Sequence, residues 1–149
     1  MRLLVMLLLL SWLMPQKALL IGVANYPSSP LSNPINDINL LERTLISKGW
    51  SVQKVIDPGP PALKNNVRSF FRDNKKSISI VYFSGHGFQM LGENYLMPII
   101  NEINSKEDLL EQALSITELS YFSRNVSMPK IFIIDACRSL PLGEGLLSP

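Results

Sequence analysis

The chain contains one cysteine, Cys137, and one histidine, His86. Each stands just beyond an apolar run. IFII (131–134) leads through Asp135 and Ala136 to the cysteine, and ISIVYF (78–83) leads through Ser84 and Gly85 to the histidine. A thiolate is a strong nucleophile, but little of an ordinary cysteine is ionised at neutral pH. A neighbouring imidazole can take the thiol proton and later return it to a leaving amine. The two residue types together suit acyl transfer. Gly85 and Gly87 flank the histidine, which lets the backbone turn freely there and lets a substrate approach closely. The backbone N–H groups of Gly87 and Cys137 are candidates for an oxyanion hole. Taken singly, a cysteine after an apolar strand is more often an inert core residue, and a histidine in a glycine-rich turn is more often only a turn residue. The functional reading rests on the two together, 51 residues apart.

Other chemistries lack their residues. One cysteine excludes an internal disulfide, and one cysteine with one histidine falls short of the four ligands a structural zinc takes. The sequence has no G-x-S-x-G, no phosphate-binding G-x-x-x-x-G-K and no dinucleotide G-x-G-x-x-G. No metal site and no cofactor are expected. At 46% hydrophobic and 17% charged residues, the composition is that of a globular chain with a core. The net charge of +2 carries no block of like charges. Arg68, Arg72, Lys75 and Lys76 come nearest, and they read as the solvated end of a helix, so nucleic acid is not an expected partner.

The elements that must position the two residues follow from periodicity. Ala18–Ala24 (ALLIGVA) reads as a buried strand, followed by a loop rich in Pro and Ser. Ile35, Ile38, Leu41, Leu45 and Ile46 recur at helical spacing up to Gly49. Ser51–Ile56 alternates, as a strand near a sheet edge does. Asp57–Pro61 (DPGPP) is a turn that opens a second helix, with the stripe Leu63, Val67, Phe70 and Phe71. Ile78–Phe83 is a third strand. A hairpin is expected over Phe88–Met97, turning at Gly92-Glu93-Asn94. Leu109, Leu110, Ala113 and Leu114 suggest a helical turn, Thr117 to about Arg124 another helix, and Ile131–Ile134 a fourth, buried strand. Strands alternating with helices imply an α/β domain with a mainly parallel sheet flanked by helices. In such sheets ligands sit beyond the carboxyl ends of the strands, which is where His86 and Cys137 fall.

The motifs ALLIGVANY, PLSNPINDINLLERTLISKGW, VYFSGHGFQ, NYLMP and IIDACRS occur in this order over residues 18–139. In these the chain resembles the caspase-like clan of cysteine peptidases, and it is most similar to the bacterial metacaspase-like (orthocaspase) branch. The His-to-Cys interval of about 50 residues and the Cys-Arg step agree with the caspase pattern. The resemblance implies a three-layer caspase-like fold, a peptide or protein substrate, Cys137 as nucleophile and His86 as general acid/base. Caspases that cleave after aspartate carry Gln two residues before the cysteine; here that position is Asp135. The resemblance implies that Asp135, with Ser84 and Asp37, forms a pocket for Arg or Lys at P1, the residue before the scissile bond. An acid there attracts a basic side chain and repels an acidic one. For Asp37, helix-start stabilisation is an equal reading. Relatives that depend on calcium carry acidic residues after the proline of the NYLMP segment; Ile99, Ile100 and Asn101 stand there, so calcium dependence is not expected.

Two readings concern the ends. MRLLVMLLLLSWLM has one early arginine and an apolar run too short to span a bilayer, which suits a signal peptide ending near Ala18. Residues 1–18 are therefore expected to be a leader that exports the chain, with no stable membrane span, the alternatives being an uncleaved leader or a mis-called start that leaves the chain cytoplasmic; residues 19–149 are expected to be the N-terminal, large-subunit-like part of the peptidase domain. After IIDACRS only LPLGEGLLSP follows, so the family's later strands are expected to be missing. A fourth strand without them has an unpaired edge, which invites self-association.

Overall fold

A computed structural model describes residues 14–137. The strands are β1 (Gln16–Gly22), β2 (Ser51–Ile56), β3 (Ile78–Ser84), β4 (Gly87–Met90), β5 (Glu93–Leu96), β6 (Leu114–Ser115) and β7 (Lys130–Asp135). The helices are α1 (Pro34–Ser47), α2 (Pro60–Asp73), α3 (Lys106–Gln112) and α4 (Ile116–Phe122). β2, β1, β3 and β7 form a four-stranded sheet in that order, and every pairing in it is parallel. β4, β5 and β6 form a small antiparallel sheet beside it. The expected α/β architecture, a parallel sheet between helices, is the one observed.

Both helices of the β1–β3 region begin at proline, which fixes a helical φ where no N–H partner is needed. On one face of the sheet, Ile38 of α1 packs with Ala18, Leu20 and Tyr82, all buried. On the other, the α2 stripe Leu63, Val67, Phe70 and Phe71 packs against Leu19, Ile21, Val81 and Phe83 and reaches Leu119 of α4. Burying each such side chain contributes roughly 1.5–3 kcal/mol, so the second face, with far more of them, holds most of the core. α1 lies very close to β1: a Cβ on Gly22 would stand 2.8 Å from Ile38 Cδ1 and 3.0 Å from the Pro34 carbonyl oxygen. That approach brings the first turn of α1, with Asp37, over the strand ends.

Four expectations are corrected. The fourth strand, β7, is not buried: Ile131, Ile133 and Ile134 are 51%, 45% and 37% exposed, because among the described residues β7 pairs with β3 alone. The hairpin turns at Leu91-Gly92, both left-handed (φ 53° and 81°), so Glu93 and Asn94 already belong to β5. Two consecutive left-handed residues match the twist of a tight hairpin. Leu114 leaves the helical stripe to pair with Leu96, which adds β6 to the small sheet. The first strand runs over Gln16–Gly22 rather than the expected Ala18–Ala24, with Ala18 paired to both Val52 and Ile80. Residues 1–13 of the expected leader lie outside the described residues, as does everything after Cys137. Among the described residues no helix is long and apolar enough to cross a membrane.

Candidate active site

In the order β2-β1-β3-β7 the chain adds β2 on one side of β1 and then returns to add β3 on the other. Where the direction of addition reverses, the connecting loops part and leave a crevice beyond the carboxyl ends. Register sets its floor, because Gly22 pairs with Ser84 and Ser84 with Asp135. The resulting cleft, about 340 Å³, is lined by Asp37, Ser84, His86, Asp135 and Cys137, together with Gly85, Ala136 and residues 31–34. Residues expected from the sequence to act together, spread over a hundred positions, thus share one cleft. Cys137 is exposed to solvent.

His86 is fixed from several directions. Its Nε2 lies 2.7 Å from the Ser29 carbonyl oxygen. A carbonyl only accepts, so Nε2 carries a proton, and in the neutral ring Nδ1 then keeps the lone pair. Its backbone N–H donates to the Tyr26 hydroxyl at 2.9 Å, that hydroxyl donates to the Met97 carbonyl at 2.8 Å, and the Met97 N–H donates to the His86 carbonyl at 3.0 Å. The Tyr26 ring packs against the imidazole with centroids 4.4 Å apart. Burial pushes the Tyr26 phenol well above its ordinary range, with a smaller push from Asp57 and an opposing effect from the bond with His86, so the hydroxyl stays protonated and able to donate. The glycine before the histidine is required by the same contact: a Cβ on Gly85 would stand 2.7 Å from the Tyr26 hydroxyl.

Tyr26→Phe keeps the ring packing but leaves the His86 N–H and the buried Met97 carbonyl without this partner. The expected loss of stability is about 1–3 kcal/mol, read from denaturant unfolding. An unchanged midpoint and slope would show that the hydroxyl does not hold the histidine loop.

The other expected residues fall as follows. Gly87 opens β4 tightly against the cysteine: a Cβ there would stand 2.9 Å from the Cys137 carbonyl oxygen and 3.0 Å from Ala136 Cβ. The two backbones expected to form an oxyanion hole are therefore neighbours. Asp135 is exposed, not buried as expected for the end of a buried strand, because β7 is the edge of the sheet among the described residues. Its Oδ2 accepts from the Tyr82 hydroxyl at 3.3 Å. Burial raises the Tyr82 phenol above its ordinary range; a hydrogen bond with Ser84 lowers it, and the charges of Asp135 and Asp37 raise it further. Both carboxylates thus act on one group, although they come from β7 and α1. Asp37 also stands in the first turn of α1, where a carboxylate favours the helix, and the two roles are compatible.

Tyr26, Ser29 and Tyr82 were not expected. Ser29 acts through its backbone carbonyl, so its residue type carries no signal. Tyr26 and Tyr82 lie inside the motif segments but read as core aromatics, and 5% and 8% exposure agrees with that reading of their rings. Tyr82 reaches the site through its hydroxyl, and Tyr26 through its hydroxyl and the ring packed on His86.

Comparison with known proteins agrees with this architecture. The model of the caspase domain (peptidase family C14) matches residues 15–147. Over 125 residues, 81% of the chain, the sequence is 27% identical to human (Homo sapiens) mucosa-associated lymphoid tissue lymphoma translocation protein 1. It is 26% identical to the mouse (Mus musculus) homolog over a stretch of the same length. The aligned region is 15% of the human protein and 14% of the mouse protein, so the chain spans a small part of these relatives. The family match begins just before β1 and runs past Cys137, taking in the whole described sheet, and on that ground the chain belongs to the caspase-domain family of cysteine peptidases.

Proposed function

We propose that the protein is a cysteine endopeptidase that cleaves peptide bonds after Arg or Lys. One observation carries this reading: a single cleft holds the only thiol, the only imidazole and two carboxylates, Asp37 and Asp135. The P1 cation would lie against the carboxylates, with Ser84 at the base. His86 Nδ1 takes the thiol proton as the Cys137 sulfur attacks the carbonyl carbon. The oxyanion that forms is held by the Gly87 and Cys137 N–H groups. The C–N bond then breaks, His86 returns the proton to the departing amine, and a thioester remains on Cys137. Water, deprotonated by the same imidazole, hydrolyses the thioester and restores the thiol.

The test uses the full chain with fluorogenic peptides differing only at P1, and a peptidyl chloromethyl ketone with Arg at P1. Arg and Lys peptides are expected to be cleaved and an Asp peptide left intact, with the ketone attached to Cys137 by peptide mass mapping. Equal inertness toward all three peptides, with no label on Cys137, would overturn the reading.

A second reading, a catalytically inactive interaction module, is favoured by β7. Its edge, unpaired among the described residues, carries Ile131, Ile133 and Ile134 in the open, with no proline or charge among them to discourage pairing. In that reading the edge pairs with a second copy, and the chain self-associates in sedimentation without reacting with the ketone.

A further inference from the structure

Asp57, which follows β2, lies on the far side of β1 from His86 and outside the cleft. It is one of two non-glycine residues among those described with left-handed backbone (φ 47°). Its N–H donates to the Gly22 carbonyl at 2.9 Å. That conformation aims its carboxylate across the end of β1. Oδ1 accepts from the Ala24 N–H at 2.6 Å and the Asn25 N–H at 3.1 Å, and Oδ2 accepts from Asn25 Nδ2 at 2.6 Å. Ala24 and Asn25 begin the loop that returns at Leu31, whose N–H donates to the Ala24 carbonyl at 2.9 Å. Between those ends the loop presents the Tyr26 hydroxyl and the Ser29 carbonyl, the two groups bonded to the backbone and ring of His86.

We infer that Asp57 is a positioning residue for His86: its carboxylate anchors the 24–31 loop so that the Ser29 carbonyl holds the imidazole as the Nε2–H form and leaves Nδ1 for the thiol proton. The physical case is one of leverage. A charged acceptor bonded to three N–H groups is stronger than neutral partners would be. It acts at the root of the loop, where a small displacement carries to Ser29. The rest of the loop is rich in Pro and Ser and has no helix or strand of its own to hold it. A left-handed aspartate is also an uncommon choice, tolerated where its side chain is needed. The catalytic part of this inference rests on the proposed peptidase reading; the placement of the imidazole does not.

The experiment exploits the single histidine of the chain. Nitrogen-15 spectra of the imidazole distinguish the Nε2–H from the Nδ1–H form without any substrate. D57G removes the carboxylate and suits the left-handed backbone, so the variant is expected to fold. D57N keeps one acceptor oxygen and also tolerates that backbone. The wild-type chain is expected to show one set of signals, those of the Nε2–H form. D57G should show signals averaged between the two forms, with D57N restoring most of the wild-type pattern. With an Arg-P1 peptide, kcat should fall about 10- to 100-fold in D57G with little change in KM, since Asp37, Ser84 and Asp135 lie on other elements.

A folded D57G that keeps the pure Nε2–H spectrum would overturn the inference. So would a fall confined to KM. If D57G does not fold, a pure Nε2–H spectrum in Asn25→Ala, which lacks one arm of the anchor, together with wild-type kcat would overturn it instead. If no version cleaves peptides but the spectra change as described, the anchoring stands and the peptidase reading fails.

Discussion

Cys137→Ala is expected to reduce cleavage of an Arg-P1 peptide by about 10⁴-fold or more, the scale on which loss of a nucleophile collapses an acyl-transfer site. The fold should be nearly unaffected. The Cys137 side chain is exposed, and exposed substitutions away from special features usually change stability by no more than about 0.5 kcal/mol. A stable and inert variant separates chemistry from folding. The partner variant, His86→Ala, gives a different signature. The thiol remains but has no base beside it, so its reaction needs a thiolate formed by solvent. Activity should then be very low at neutral pH and rise as the solution becomes alkaline. The wild-type rate should not climb in that way, because the imidazole already takes the proton. The check is kcat/KM against pH for both proteins. Residual activity in Cys137→Ala equal to wild type would remove the nucleophile from the proposal.

The second large effect concerns choice of substrate. Asp135→Asn is expected to lower kcat/KM for Arg and Lys peptides by about 10²- to 10³-fold, within the range for removing one partner of a hydrogen-bonded charge pair. The substitution keeps an oxygen that can accept from Tyr82, so the local geometry survives while the charge is lost. Alkylation of Cys137 by iodoacetamide, a small reagent with no cationic side chain, should proceed at the wild-type rate. Asp37→Asn should act in the same direction. If Asp135→Asn cleaved Arg peptides as well as wild type, the basic pocket would have to be sought elsewhere.

The sheet was legible in the sequence because its strands are separated by two strongly amphipathic helices, and the α2 stripe of Leu63, Val67, Phe70 and Phe71 is buried as read. The unpaired edge of β7 was expected, but its exposure was not: IFII reads as a buried strand, since a run of isoleucines looks the same whether or not both of its faces are covered. The bringing together of Asp37, Ser84, His86, Asp135 and Cys137 was legible because each lies at a strand end or in a helix's first turn, positions that a parallel sheet gathers at one end. The support around His86 was not legible. A backbone carbonyl at Ser29 and a hydroxyl on a buried Tyr26 leave no pattern in residue type. Asp57 looked like the first residue of a turn, and its three hydrogen bonds depend on a backbone angle that the sequence does not display.

The two residues proposed to react sit on supports of unequal stiffness. His86 follows an interior strand, is bonded through both backbone groups to Tyr26 and Met97, and is pinned at its ring by Ser29. Cys137 follows a strand that, among the described residues, is bonded along one side only. The carbonyls of Pro129 and Asp135 face β3, so by the alternation of a strand the intervening Lys130, Phe132 and Ile134 turn their backbone groups outward. Thermal fluctuation that separates the thiol from the imidazole is therefore chiefly excursion of the cysteine. Whatever damps the free edge of β7 raises the fraction of time the pair spends at reacting distance.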